Sequence, residues 1–232
     1  MSPFDAHLTR HIGSSFARQL AFADFLGDGH WGADLDEGVF TYTPDKRLPL
    51  QVLGSESEVS GTWLWAWGNE QAGLSPSVLQ AAHAVREFGE ANDIAPLTTR
   101  SFALDDISGH AIAMLCAGLA GGKCYYRGPY DGGAAFFLVD GVPAQVLASV
   151  APARAVTVIQ QVISQFDVDH RAMVRSFMQQ QGYAIEEDGS TLRAAAASGG
   201  ALRLSFDTLG RLASIEGTLT PAPKKRGWQF WK

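Results

Sequence analysis

Gly61-Thr62-Trp63-Leu64-Trp65-Ala66-Trp67-Gly68-Asn69 puts three of the chain's six tryptophans at every second position. A strand sends successive side chains to opposite faces, so Trp63, Trp65 and Trp67 share one face, opposite Thr62, Leu64 and Ala66. Read as a helix, the same indoles would scatter around the axis. An indole buries roughly 200 Å², or about 5 kcal/mol of gross apolar transfer at ~25 cal/mol per Å². This ladder is therefore the largest local source of burial. Both of its faces are largely apolar, which predicts a central strand covered on two sides.

Outward from the ladder, the N-terminal side reads as a helix and a meander. Phe4, Leu8, Ile12, Phe16 and Leu20 recur at helical steps from Pro3 to Leu26, and Gly27 supplies a stop. A strand follows with Trp31, Ala33 and Leu35 inward, then a turn at Asp36-Glu37-Gly38. Val39 to Thr43 returns with Phe40 and Tyr42 inward, Leu48 to Gly54 makes a third run, and the Trp strand closes the antiparallel meander.

On the C-terminal side, Ser75-Pro76 opens a helix to about Asn92, with Val78, Leu79, Ala82, Val85 and Phe88 inward. Asp105 can cap a second helix, Ile107 to Leu119, apolar nearly all round and so buried. Cys124–Tyr130 and Ala134–Val139 form a hairpin across Asp131-Gly132, a tight-turn signal. Pro152 opens a helix to Phe166, and Asp167 caps another to Gln181. Four short strands follow, at Tyr183–Glu187, Thr191–Ala196, Ala201–Phe206 and Arg211–Leu219. These elements predict an α+β protein, a mainly antiparallel sheet with helices packed on it. The expected units are residues 1–150, holding the Trp strand; 151–220, helices plus a β-meander; and the tail 221–232.

Charge bounds the partners. The net charge is −6, but four of the 18 basic groups lie in the last nine residues, leaving 14 basic against 24 acidic in residues 1–220, a net −10. So acidic a body argues against nucleic acid, which needs a basic face. The N-terminus lacks the pattern of a signal peptide, and the most apolar stretch, 111–122, is too short to span a bilayer. Two cysteines, Cys116 on a helix and Cys124 opening a strand, make no disulfide framework and point to a reducing cytoplasm.

Two resemblances attach to these residues. The order helix, three strands, helix, two strands, helix is similar to the α-β-β-β-α-β-β-α layout of the secretion-chaperone-like fold. The run Gly-Thr-Trp-Leu-Trp-Ala-Trp-Gly-Asn, with Ala95-Pro96-Leu97-Thr98 and Tyr126-Arg127-Gly128-Pro129-Tyr130, resembles a bacterial family of uncharacterised proteins over residues 32–139. That family carries no established activity to transfer.

Chemical motifs are scarce. Gly118-Leu119-Ala120-Gly121-Gly122-Lys123 fails as a phosphate-binding loop: the leading glycine is displaced, Cys124 stands where Ser or Thr is needed, and the loop runs helix to strand. Residues 34–38 lack calcium-loop spacing, and no Gly-x-Ser-x-Gly occurs. His83, Glu87 and Glu90 share a helix face, but no further ligand set completes a metal site. No catalytic residue, metal site or cofactor is therefore assigned. The candidate ligand or partner surface is Trp63, Trp65, Trp67, Asn69, His110, Tyr126 and Tyr130, read either as core or as a pocket in which an indole stacks on a ligand. His110 reads either as a satisfied core histidine or as a pocket acid/base. In the tail, Lys224, Lys225, Arg226, Trp228 and Trp231 follow a Pro-Ala-Pro break. They make a free end, a docking peptide for a partner or an anionic membrane surface in transient contact, or a segment that folds back on the acidic body.

These features lead to a non-enzymatic cytoplasmic protein-binding or adaptor protein, chaperone- or immunity-like, with an unknown protein partner. The rival is a small-molecule-binding protein or enzyme that uses a Trp-lined pocket on the sheet.

Overall fold

The computed structural model describes residues 1–218. Its helices are α1 (Pro3–Leu26), α2 (Pro76–Ala91), α3 (Ala95–Thr98), α4 (Gly109–Leu119), α5 (Pro152–Gln165) and α6 (His170–Gln180). Strands β1 (Trp31–Asp34), β2 (Val39–Tyr42), β3 (Lys46–Ser57), β4 (Thr62–Trp65), β5 (Ser101–Ala103), β6 (Cys124–Tyr130) and β7 (Gly133–Val139) form one antiparallel sheet. β8 (Ala184–Asp188), β9 (Thr191–Ala195), β10 (Ala201–Phe206) and β11 (Leu212–Thr218) form a second, in meander order.

The long strand β3 organises the first sheet. β2 pairs with its residues 46–49, β4 with 54–57, and β7 runs along 50–57. A register shift between Val52 and Gly54 bends it. Gly54 permits the close approach of β4, because a Cβ there would sit 2.5 Å from the Leu64 carbonyl oxygen and against the Trp63 ring.

Alternation then divides the sheet's apolar residues into two cores. Leu53, Trp63, Trp65, Phe136 and Leu138 face α1, α4, α5 and α6, a core that continues into Leu192, Leu202 and Leu204 of the second sheet. Leu50, Val52, Phe137 and Val139 face the other way, under Phe40, Phe22 and Leu26 at the end of α1, and Val78 of α2. β7 is buried on both faces for this reason.

Several expectations are corrected. β4 stops at Trp65, and 66–68 form a 3₁₀ turn, so the strand ladder is two indoles long. β4 follows β3 in the meander and is central, with β5 pairing on its other side, but its burial alternates, with Thr62 and Leu64 only half-buried. Leu35 is exposed in the turn after β1, and Leu79 and Phe88 are half-buried. Helix α4 is capped by the Ser108 hydroxyl, which accepts the Ala111 N–H at 3.1 Å, not by Asp105. Helix α6 is likewise capped by Asp169, which accepts the Ala172 N–H at 2.8 Å, not by Asp167. In both cases the capping oxygen stands three residues before the N–H it satisfies, and the earlier aspartate lies outside that reach.

Candidate functional site

The indoles of the ladder are closed to ligands. Trp63 and Trp65 are 0 % exposed and meet edge to face at 5.3 Å. Trp65 Nε1 donates to the Pro96 carbonyl at 2.9 Å, and Trp63 packs on Phe136 at 5.2 Å. Trp67 stacks on Trp65 at 6.5 Å and is only half-buried, but the Arg86 guanidinium lies 4.5 Å over its ring. Asn69 follows it, half-buried, its backbone N–H on the Ala66 carbonyl.

His110 is not a core histidine, because it occupies the exposed first turn of α4. Its Nδ1 lies 2.8 Å from the Tyr125 hydroxyl, and its ring meets Phe136 edge-on at 5.8 Å. Beside it, Arg127 of β6 reaches across β7 to Glu56 of β3 at 2.6 Å and to Glu58 at 2.7 Å. Glu56 also lies against the first turn of α4, where a Cβ on Gly109 would be 2.5 Å from its Oε2. Helix-terminal N–H groups and the helix dipole favour a carboxylate at that place.

Partial burial pulls the His110 pKa down. Glu56 opposes that shift and Arg127 adds to it. Burial, with Glu56 nearby, pushes the Tyr125 hydroxyl up, so it stays protonated. The group is thus a neutral imidazole on a phenol and a carboxylate held by a guanidinium. The imidazole Nδ1 is engaged by the phenol, and Glu56 Oε1 accepts from the guanidinium. Gln19 closes the free edge of β6 alongside, bonding both the N–H and the carbonyl of Tyr125, and Pro129 removes a donor further on.

The remaining predicted residues lie apart. Tyr126 belongs to the other face of the sheet, 4.8 Å from Phe40 and 5.9 Å from Trp31. Tyr130 is 51 % exposed at the hairpin end. Of the seven candidates, Trp63, Trp65 and Trp67 form one contiguous group that runs on to Asn69, and His110 joins it only through Phe136, which both it and Trp63 touch. Cys116 and Cys124 are buried and unpaired, and burial raises both thiols, Cys124 to about 12, which leaves them unreactive. Among the described residues no three His, Cys, Asp or Glu side chains gather closely enough to hold a metal ion. The tail candidates Lys224, Lys225, Arg226, Trp228 and Trp231 lie outside the described residues.

One opening combines apolar floor and unpaired charge. A cleft of about 680 Å³ lies between the first turns of α1, residues 104–108 and residues 165–168. Its floor holds Phe4, Leu8, Ala111 and Val168, all buried. Asp5, Asp105, Asp106 and Asp167 stand at its rim together with the N-terminus at Met1, and among the described residues no Lys, Arg or His lines it. Asp5 is engaged with Ser2, whereas Asp105, Asp106 and Asp167 have no ion-pair partner among the described residues. Sequence reasoning missed this cleft because it spent Asp105 and Asp167 as helix caps. The true caps lie further along, which leaves both carboxylates at the rim.

Residues 5–142 match the model of a family described as a family of unknown function, DUF6882. Searches of curated proteins and of solved structures give no match.

Proposed function

The chain belongs to DUF6882, a family of unknown function, and from that premise we propose that it is a non-enzymatic binding protein that holds a segment of another protein. The acid-rimmed cleft is the observation that carries this reading. Three carboxylates with no ion-pair partner among the described residues, around an apolar floor, favour a segment that presents Lys or Arg together with apolar side chains. An adaptor of the chaperone- or immunity-like kind, working in the cytoplasm, fits such a surface cleft, and two buried unpaired thiols fit a reducing compartment. The family match ends at residue 142, which supports reading 1–150 as the core unit and 151–220 as an addition to it. A ligand stacked on the ladder is the weaker reading, since Trp63 and Trp65 have no exposed surface.

The test is affinity capture from the native host with the full chain and with its Asp105→Asn/Asp106→Asn/Asp167→Asn variant, followed by binding of the purified captured protein. The reading expects a partner that binds the native chain directly and loses at least tenfold affinity for the variant. Equal binding to both, or a small molecule that alone raises the melting temperature and quenches tryptophan fluorescence, would overturn it.

A further inference from the structure

We infer that a second opening, along the outer face of α6, binds a small phosphorylated molecule through Arg10, Arg171 and Arg175. The opening holds about 620 Å³, and those three arginines line it together with Asp169 and Glu187. Two helices and a strand bring them there. Arg171 and Arg175 stand one turn apart on α6, so their side chains share a face. Arg10 comes from α1, which approaches α6 closely because Gly13 has no side chain; a Cβ there would sit 2.7 Å from Phe177 Cβ. Gln180 of α6 fixes the join by donating to the Arg10 carbonyl at 2.7 Å.

The arginines of α6 are already held in place. Arg171 Nη2 donates to Glu187 Oε2 at 3.0 Å and to the Gly189 carbonyl at 2.8 Å, and its guanidinium lies 5.9 Å from the centre of the Phe206 ring. Arg175 Nε meets the other oxygen of Glu187 at 3.0 Å. Both oxygens of that carboxylate are thus engaged, and Asp169 spends Oδ1 on capping α6. A guanidinium carries more N–H donors than one carboxylate can accept, so this lining is rich in donors. Its charge points the same way. Three cations face two carboxylates among the described lining residues, within a body whose net charge is −10. No Asp or Glu follows Glu216 in the sequence, so residues 219–232 bring no carboxylate side chain to that balance.

Geometry selects the ligand class. Glu187 shows that the Arg171–Arg175 pair matches one planar carboxylate. A third guanidinium, arriving from α1, suits an acceptor whose oxygens do not lie in one plane, as in a phosphoryl group. Ser176 and Gln179 line the same opening with a hydroxyl and an amide, which suits a polar remainder on the ligand. This site is separate from the acid-rimmed cleft and does not depend on it.

Isothermal titration calorimetry of the full chain with inorganic pyrophosphate, at constant ionic strength, tests the assignment. Saturable binding is expected in the native chain and in Arg193→Gln, which changes an exposed arginine of β9 away from the opening. Arg10→Gln/Arg175→Gln should bind at least tenfold more weakly, with circular dichroism confirming its fold; if it does not fold, Arg10→Gln alone should show the weakening. No saturation of the native chain up to ~10 mM, or equal affinity in the substituted chain, overturns the site. Malonate binding as tightly as pyrophosphate overturns the phosphoryl assignment.

Discussion

Replacing Trp65 by alanine removes a side chain with no exposed surface from the middle of the first core. Roughly 200 Å² of indole at ~25 cal/mol per Å² is worth about 5 kcal/mol of transfer, and Trp→Ala changes in cores cost about 3–5 kcal/mol after partial collapse. The change also strands the Pro96 carbonyl, which now accepts from Nε1 at 2.9 Å, and opens one side of Trp63 and Trp67. A loss of 3–5 kcal/mol lowers the melting temperature of a chain this size by roughly 6–20 °C. Urea denaturation followed by circular dichroism measures the loss directly. Trp65→Phe keeps most of the burial but loses the hydrogen bond, and should cost about 1–3 kcal/mol. A loss under ~1 kcal/mol for Trp65→Ala would mean that the indole meets solvent or a ligand space, and would refute the sealed ladder.

Other outcomes follow from the same geometry. Gly132 has φ of +79°, so Gly132→Val should destabilise the β6–β7 turn by about 1–3 kcal/mol while Asp131→Asn stays nearly neutral; equal effects in urea melts would contradict the assigned turn. Glu56→Ala leaves the half-buried Arg127 guanidinium short of its better-buried partner and should cost about 1–3 kcal/mol, against under ~1 for the exposed Glu58→Ala, compared by urea midpoint. His7, His11 and His110 all have pKa values lowered mainly by burial, so the folded state favours their neutral forms. Their contribution is complete above the unfolded value of ~6.5 and is lost as pH falls from there through the depressed folded values. The urea midpoint should therefore drop from pH 7.5 to 5, less steeply in His110→Gln; an unchanged or rising midpoint would show that these imidazoles gain nothing by staying neutral.

What the sequence discloses depends on whether a feature is local. Alternation placed the strands, and Ser2, Pro3 and Gly27 bounded α1, because each signal acts within one element. Alternation in the sequence persists to Trp67, two residues past the end of the strand. Only the pairing of β4 with both β3 and β5 decides where the strand stops. His110 looked like a core residue among apolar neighbours on α4. Its exposure follows from its place in the first turn, beside Glu56 and Tyr125, which are 54 and 15 residues away in sequence. The acid-rimmed cleft was least legible, since it joins three distant stretches and depends on Ser108 and Asp169, not Asp105 and Asp167, serving as caps.

The central claim, that this cleft holds a cationic segment with apolar side chains, is tested most directly by titrating a fluorescently labelled peptide of residues 219–232 into the full chain carrying Lys224→Glu/Lys225→Glu/Arg226→Glu. Those changes lie outside the described residues and remove the chain's own clustered cations from competition with the added peptide. Fluorescence anisotropy should show saturable, salt-sensitive binding to this variant, and none when Asp105→Asn/Asp106→Asn/Asp167→Asn is added. Absence of saturable binding to the variant at low salt, or binding that survives the three asparagines, would contradict the claim.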